Sequence, residues 1–217
     1  MSMIGEAERK AQNRVIDLLS GHSTTAPGGL GWRYLGDWRK REGNANVEED
    51  LLRPWLLSRG YAPELVSQAI ARLKREARME GDKLYDANRG FYEMLRYGVS
   101  IPPGPGEAPV TVRFVDWEDA TANDLGVAEE VSVKGKDAKA WNKRPDLVLY
   151  ANGIALGVVE LKRSTVGVGE GIRQTLDNQR PEFIRPFFTT VQLTFAGNDS
   201  EGLRYAPIQT PQPYWLA

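Results

Sequence analysis

Two short runs of this sequence carry side chains that could do chemistry together. Arg144-Pro145-Asp146 opens the apolar run Leu147 to Tyr150, and, after Ala151-Asn152-Gly153, a second apolar run from Ile154 to Val159 closes on Glu160-Leu161-Lys162. In an extended strand alternate side chains share a face, so Glu160 and Lys162 project together while Leu161 points away. Whether Asp146 joins them depends on the turn. A two-residue turn at Asn152-Gly153 sets Asp146 opposite Val159 and turns Glu160 away. A three-residue loop, Ala151-Asn152-Gly153 with Gly153 left-handed in a bulge, sets Asp146 opposite Val158 and diagonal to Glu160, about 7 to 8 Å from it. We expect that loop, or another bulge that restores the same face.

Two carboxylates without an imidazole form the oxygen-donor set that Mg²⁺ accepts, with Mn²⁺ as a substitute. Such a site leaves room for waters and for substrate phosphate oxygens. Phosphodiester hydrolysis needs that arrangement. The metal polarises the phosphoryl oxygen and activates a water, while a lysine orients that water or offsets charge developing on the phosphate. The Leu161 carbonyl could complete the coordination. Read singly, Glu-x-Lys at a strand end is a solvated edge with a weak ion pair, and Pro-Asp is a turn. The signal lies in their connection by two hydrophobic strands.

The composition closes other routes. The chain has 217 residues, no cysteine and one histidine, His22. Disulfides, thiolate catalysis, iron–sulfur clusters, cysteine-bound zinc and any site needing two imidazoles are therefore excluded. The 28 Lys and Arg against 29 Asp and Glu give a net charge of −1, which excludes a globally basic nucleic-acid binder but not a local basic groove. With 41% hydrophobic and 26% charged residues, the chain is an ordinary globular one. No apolar run approaches the roughly 20 residues of a membrane helix, and Met1 to Lys10 lacks an apolar signal core. A soluble cytoplasmic protein without membrane contact is the expectation.

The elements that must position the acids follow from periodicity. Helices are expected over Glu6 to Leu19, Glu48 to Leu57, Ala62 to Met79 and Asn88 to Tyr97, with Pro63 in a first turn and Leu65, Ala69, Ile70 and Leu73 as an apolar stripe. Ser20 to Gly31, with His22, reads as a loop before a short strand near Trp32, Tyr34 and Leu35. Arg39 to Asp50 reads as charged and exposed. Residues 1–100 thus form a mainly helical part, and Ile101-Pro102-Pro103-Gly104-Pro105-Gly106 falls in a Pro/Gly hinge at 101–109. From 110 to 217 the pattern turns strand-like, with runs at Val110 to Val115, Val127 to Val133, Asp146 to Tyr150 and Ile154 to Leu161, a helix from about Gly169 to Phe183, and a strand from Thr189 to Ala196. The fold class is α/β.

Other features take plainer readings. Gly167-Val168-Gly169-Glu170-Gly171 lacks the spacing of a dinucleotide fingerprint and reads as a mobile turn beside the acids. Trp32, Trp38, Trp55 and Trp141 read as core or cap residues. From Lys143 to Arg185 seven cationic residues face five acidic ones, so the near-neutral total hides a positive stretch in which Arg163 and Arg173 could meet backbone phosphates.

Pro145-Asp146 with Glu160-Leu161-Lys162 resembles the PD-(D/E)xK nuclease pattern. The flanks sharpen the likeness: Asn88-Arg89-Gly90-Phe91-Tyr92, Phe114-Val115-Asp116-Trp117, Ile172-Arg173-Gln174, Asp177-Asn178-Gln179, Phe183 to Phe188 and Ala196-Gly197-Asn198 are similar to the N-terminal part of the restriction (R) subunit of type I restriction-modification enzymes. The resemblance spans roughly Asn88 to Leu216. It implies a restriction-endonuclease-like core, a mixed central sheet flanked by helices, joined to the helical N-terminal part. It further implies Mg²⁺-dependent cleavage of double-stranded DNA, ahead of an ATP-driven helicase/translocase motor for which 217 residues leave no room, in a complex with modification (M) and specificity (S) subunits. By the same resemblance Asp146 and Glu160 hold metal, Lys162 is the catalytic lysine, and Gln174 is a catalytic-site residue. Relatives place Tyr four residues after that Gln; here the position is Asn178. An extra Glu on an early helix, when used, would be Glu8 or Glu6. A non-catalytic DNA-binding or docking domain on the same fold, and a stand-alone structure-specific nuclease, are the alternatives.

Overall fold

Why Asp146 and Glu160 end up together is decided by a mixed sheet and by the helices that cover its faces. The computed structural model describes residues 3–21, 28–79, 81, 83–104, 106–135 and 139–217. The expected loop positions of His22 and Pro27, the hinge position of Pro105 and the side chain of Glu6 lie outside that set.

The described helices are α1 (Met3–Ser20), α2 (Glu49–Ser58), α3 (Pro63–Glu76), α4 (Leu84–Tyr97) and α5 (Val168–Asn178). In α3, Pro63 occupies the first turn, Glu64 meets the positive helix end, and Lys74 and Arg75 meet the negative one. Its stripe of Leu65, Val66, Ala69, Ile70 and Leu73 is buried against α2, α4 and the strands β2 (Val99–Ile101) and β3 (Val110–Val112). β2 and β3 are antiparallel partners, so the Pro/Gly stretch expected as a hinge joins two paired strands.

Six further strands form one mixed sheet: β1 (Arg33–Asp37), β4 (Leu125–Glu129), β5 (Leu147–Ala151), β6 (Ile154–Leu161), β7 (Leu193–Asn198) and β8 (Gly202–Ala206), in the order β1-β4-β5-β6-β7-β8. The β1–β4 and β6–β7 pairs are parallel and the rest antiparallel. Side-chain alternation splits the central β5–β6 pair between two cores. Leu147, Val159 and Leu161 pack with Ile16 of α1, whereas Val148, Tyr150 and Val158 pack with Trp38, Phe187 and Phe188. Asp146 and Glu160, one residue out of step with Leu147 and Val159, project to the face opposite α1.

The β5–β6 turn corrects the expected three-residue loop. Ala151 pairs with Ile154, leaving a two-residue turn in which Asn152 (φ 53°) and Gly153 (φ 83°) are both left-handed, the backbone that matches strand twist in a tight hairpin. The ladder then shifts, with Tyr150 opposite Ala155 but Leu149 opposite Gly157. Leu156 is the extra residue, a bulge in mid-strand. Beyond it Leu147 faces Val159, and strand alternation puts Asp146, just ahead of β5, on the face of Glu160. The bulge restores the common face by a different route.

Other boundaries moved for local reasons. Strand β4 ends at Glu129 because Glu130 is left-handed (φ 53°). Helix α5 stops at Asn178 instead of continuing to Phe183, since Pro181 disfavours helical backbone at Arg180; residues Arg185–Thr189 form a 3-10 turn before β7. Strand β8 was not expected. Within the stretch expected to be exposed, Val47 and Glu48 are only 4% exposed, Glu48 being held by Arg41 at 2.6 Å. Trp38 and Trp55 are buried, but Trp141 is 71% exposed and is no core residue.

Candidate active site

The last residues of β6 and one face of α5 form a closed polar network. Glu160 has no solvent exposure. Its Oε2 accepts a hydrogen bond from Gln174 Nε2 at 2.7 Å, and its Oε1 accepts one from Asn178 Nδ2 at 3.1 Å. Gln174 and Asn178 are four apart on α5, the spacing that puts two side chains on one helix face. The other end of the Gln174 amide, Oε1, accepts from Lys162 Nζ at 2.6 Å. One side chain therefore fixes both an acid and a lysine, its amide nitrogen donating to the acid and its carbonyl oxygen accepting from the lysine. Gly171 lets α5 come this close: a Cβ there would lie 3.2 Å from Ala196 Cβ on β7. The glycines expected as a mobile turn thus begin α5 and seat it on the sheet.

Asp146 lies beside this network, at the entry to β5. Its Oδ2 accepts the Leu161 backbone N–H at 2.7 Å, while its carbonyl accepts from Gln12 Nε2 of α1 at 3.0 Å and from the Glu130 N–H at 2.8 Å. The Asp146 and Glu160 carboxyls are close enough to influence each other electrostatically. Burial pushes the Asp146 carboxyl up to about 6; the Leu161 N–H and Lys162 oppose that rise, and Glu130 and Glu8 add to it. Burial, and next the neighbouring Asp146, push Glu160 well above the usual carboxylate range, with Lys162 acting against them. Two adjacent acids in such a place cannot both ionise without a cation between them. Lys162 supplies one positive charge, and a divalent ion fits the remaining need through oxygen donors. Among the described residues no group of three or more His, Cys, Asp or Glu side chains is arranged to hold a metal.

The structure therefore brings Asp146, Glu160, Lys162 and Gln174 together. Asn178, which departs from the expected Tyr, sits on Glu160. Glu8 is close enough to influence Asp146 electrostatically. Arg173 pairs with Glu170 on the exposed side of α5, and Arg180, just past the end of that helix, pairs with Asp177. Sequence reasoning missed the supports beneath the site. Gln12 grips the Asp146 backbone, and Arg9 of the same helix pairs at 2.7 Å with buried Glu129, which also accepts from Tyr34 Oη at 2.6 Å. The one available signal was the polar pair Arg9 and Gln12 on the face of α1 that otherwise carries its apolar residues.

Residues 6–212 match the family model described as type I restriction enzyme R protein N terminus. A 74-residue segment is 35% identical to a protein of Methanocaldococcus jannaschii named as type I restriction enzyme MjaIXP endonuclease subunit; the match covers 33% of this chain and 7% of that relative. The chain thus spans only a small part of the length of the curated relative it matches.

Proposed function

Because the chain belongs to the family of type I restriction enzyme R protein N termini, which implies a nuclease role in restriction, we propose that it is the endonuclease part of such a subunit. It hydrolyses phosphodiester bonds of double-stranded DNA with Mg²⁺ or Mn²⁺, at a site of the PD-(D/E)xK kind. The observation that supports this reading most is the meeting of Asp146, Glu160 and Lys162 at the end of β6, with Gln174 bridging acid and lysine.

Asp146 and Glu160 would hold the ion. When bound, the ion would polarise the phosphoryl oxygen and lower the pKa of a water. Lys162, fixed at 2.6 Å by Gln174, orients the attacking water or offsets charge on the phosphate. Asn178 and Gln174 hold the Glu160 carboxylate still, and outer supports of this kind commonly matter ten- to a hundred-fold, as an order of magnitude. Target choice would come from modification and specificity subunits, and ATP would be consumed by a translocase motor of the same subunit.

One observation favours a second reading, a non-catalytic DNA-binding or docking domain: both Glu160 oxygens already accept amide hydrogen bonds. Each oxygen keeps another lone pair, so an ion is not precluded. Nicking of supercoiled plasmid by the chain in Mn²⁺ separates the two. Nicking that disappears in Asp146→Asn and Lys162→Ala supports catalysis. Nicking that persists in both contradicts it, and ion binding by the parent that survives in Asp146→Ala and Glu160→Ala favours the second reading.

A further inference from the structure

Beside the acid pair lies an open groove of about 620 Å³. Its walls come from residues 39–44, which follow β1, and from residues 132–134 and 142–144, which flank the approach to β5. Six cationic side chains line it, Arg39, Lys40, Arg41, Lys134, Lys143 and Arg144, against the single carboxylate of Glu42. Around the lining, Glu130 takes a 2.6 Å ion pair from Arg144 and a 3.5 Å one from Arg39, Asp37 pairs with Arg39 at 3.8 Å, and Glu48 pairs with Arg41, so the excess is carried by Lys40, Lys134 and Lys143. A clear positive excess remains, in a chain whose net charge is −1.

The groove is built rather than incidental. Asn44 Nδ2 donates to the carbonyls of both Trp38 and Ser132 at 3.0 Å, and Ser132 Oγ donates to the Arg39 carbonyl at 2.8 Å, so the two walls are stapled together. Arg41 lies 4.1 Å over the Trp38 ring, and Lys143 Nζ lies 4.0 Å over Phe183. These contacts hold cationic groups in place before any ligand arrives, which lowers the ordering cost of binding.

It is also continuous with the acid pair. Arg144 is two residues from Asp146, and the Glu130 that it pairs with donates its N–H to the Asp146 carbonyl. A single phosphate is much smaller than this space, whereas a run of phosphates matches cations spread along two walls.

We propose that this groove grips the sugar-phosphate backbone of duplex DNA and leads it to Asp146 and Glu160. The proposal rests on the nuclease reading and adds the track by which substrate reaches the site. Contacts to phosphate fix the position of the duplex without reading its sequence.

The test is the affinity of the chain for a short labelled duplex, by fluorescence anisotropy in EDTA, over about 50 to 200 mM salt. Lys40→Ala with Lys134→Ala, both exposed side chains, is expected to weaken binding about tenfold or more. The slope of log affinity against log salt should fall by about two, near one for each lost phosphate contact. Mn²⁺ binding should be unchanged, and Arg72→Ala with Arg75→Ala on α3, outside the groove, should leave DNA binding unchanged. If the groove variant keeps parental affinity and slope while Mn²⁺ still binds, the groove proposal is overturned and the nuclease reading stands. If the parent binds neither duplex nor Mn²⁺, both are overturned. If polyglutamate displaces the duplex as well as unlabelled DNA does, the groove suits an acidic protein and the proposal is again overturned.

Discussion

Asp146 and Glu160 lie on one face at the end of the β5–β6 ladder because Leu156 bulges out between Ala155 and Gly157. Without that extra residue the two-residue turn at Asn152-Gly153 would place Glu160 on the α1 face, away from Asp146, Gln174 and Asn178. The site depends on a backbone irregularity in a strand whose residues are otherwise ordinary.

The turn that starts this register is vulnerable at Gly153. A Cβ there would meet the Glu48 carbonyl and Leu51 Cβ at 2.7 Å, with φ at 83°. Gly60 has nearly the same φ, 84°, but open space around it. Gly60→Ala should cost about 1 kcal/mol for the left-handed backbone alone. Gly153→Ala adds a backbone clash and should cost about 3 kcal/mol or more. Thermal or urea melts of both variants make the comparison, and equal losses would show that the close approach at Gly153 is relieved cheaply.

Much of this was legible beforehand, and the gaps have physical causes. The bounds of β6 follow from the apolar run Ile154 to Val159 after Gly153, closing on Glu160-Leu161, and the buried stripe of α3 follows from its helical spacing. The Leu156 bulge left no mark, because an apolar residue suits a bulged and a regular position alike. Strand β8 was missed because Gly202-Leu203-Arg204-Tyr205-Ala206 is a half-exposed edge with no apolar run. Charge counted along 143–185 pointed to Arg163 and Arg173. The basic groove instead joins residues about ninety positions apart, which no local count can find.

Stability should depend on pH in the direction opposite to that of ordinary salt-bridged acids. The folded pKa of Asp146 is raised from 3.8 to about 6, and that of Glu160 is raised further above its own ordinary value. Their neutral forms are favoured in the folded state, so this stability is fully present below about pH 4 and is lost as pH rises through 6 and above. For Asp146 the displacement corresponds to at most about 3 kcal/mol. In EDTA, melting temperatures attributable to this pair should fall from pH 5 to pH 8. Glu160→Gln should flatten the fall, and a variant with the parental slope would contradict the assignment.

Asn178 should act through Glu160. Asn178→Leu removes the donor to Oε1 at 3.1 Å and leaves a buried carboxylate less able to ionise. The midpoint of the pH dependence of Mn²⁺ affinity should move to higher pH, with affinity about tenfold lower at pH 7. Asn178→Asp would add a third acid beside the pair and is not a neutral control; Asn178→Gln is the conservative one. An unshifted midpoint in Asn178→Leu would assign the residue to packing alone.

Helix α1 is clasped to the sheet through Arg9 and Glu129, the acid being nearly fully buried and the arginine 41% exposed on its side chain. Arg9→Ala strands that carboxylate. The cost should be about 2 kcal/mol, below the 3–5 typical of a fully enclosed pair because Arg9 is partly in water. Since Gln12 on the same helix holds the Asp146 carbonyl, Mn²⁺ affinity should fall together with hydrogen-exchange protection of α1. Loss of one without the other would separate the clasp from the site.

The central claim is that Asp146 and Glu160 jointly hold a divalent cation. Mn²⁺ titration followed by electron paramagnetic resonance at pH 7.5 or so tests it on the parent, Asp146→Asn and Glu160→Gln, each isosteric and unable to ionise. The account predicts binding by the parent and at least about a tenfold loss in each variant, with melting temperatures equal to or above the parent's. Equal Mn²⁺ affinity in all three proteins, or none in the parent, would contradict it.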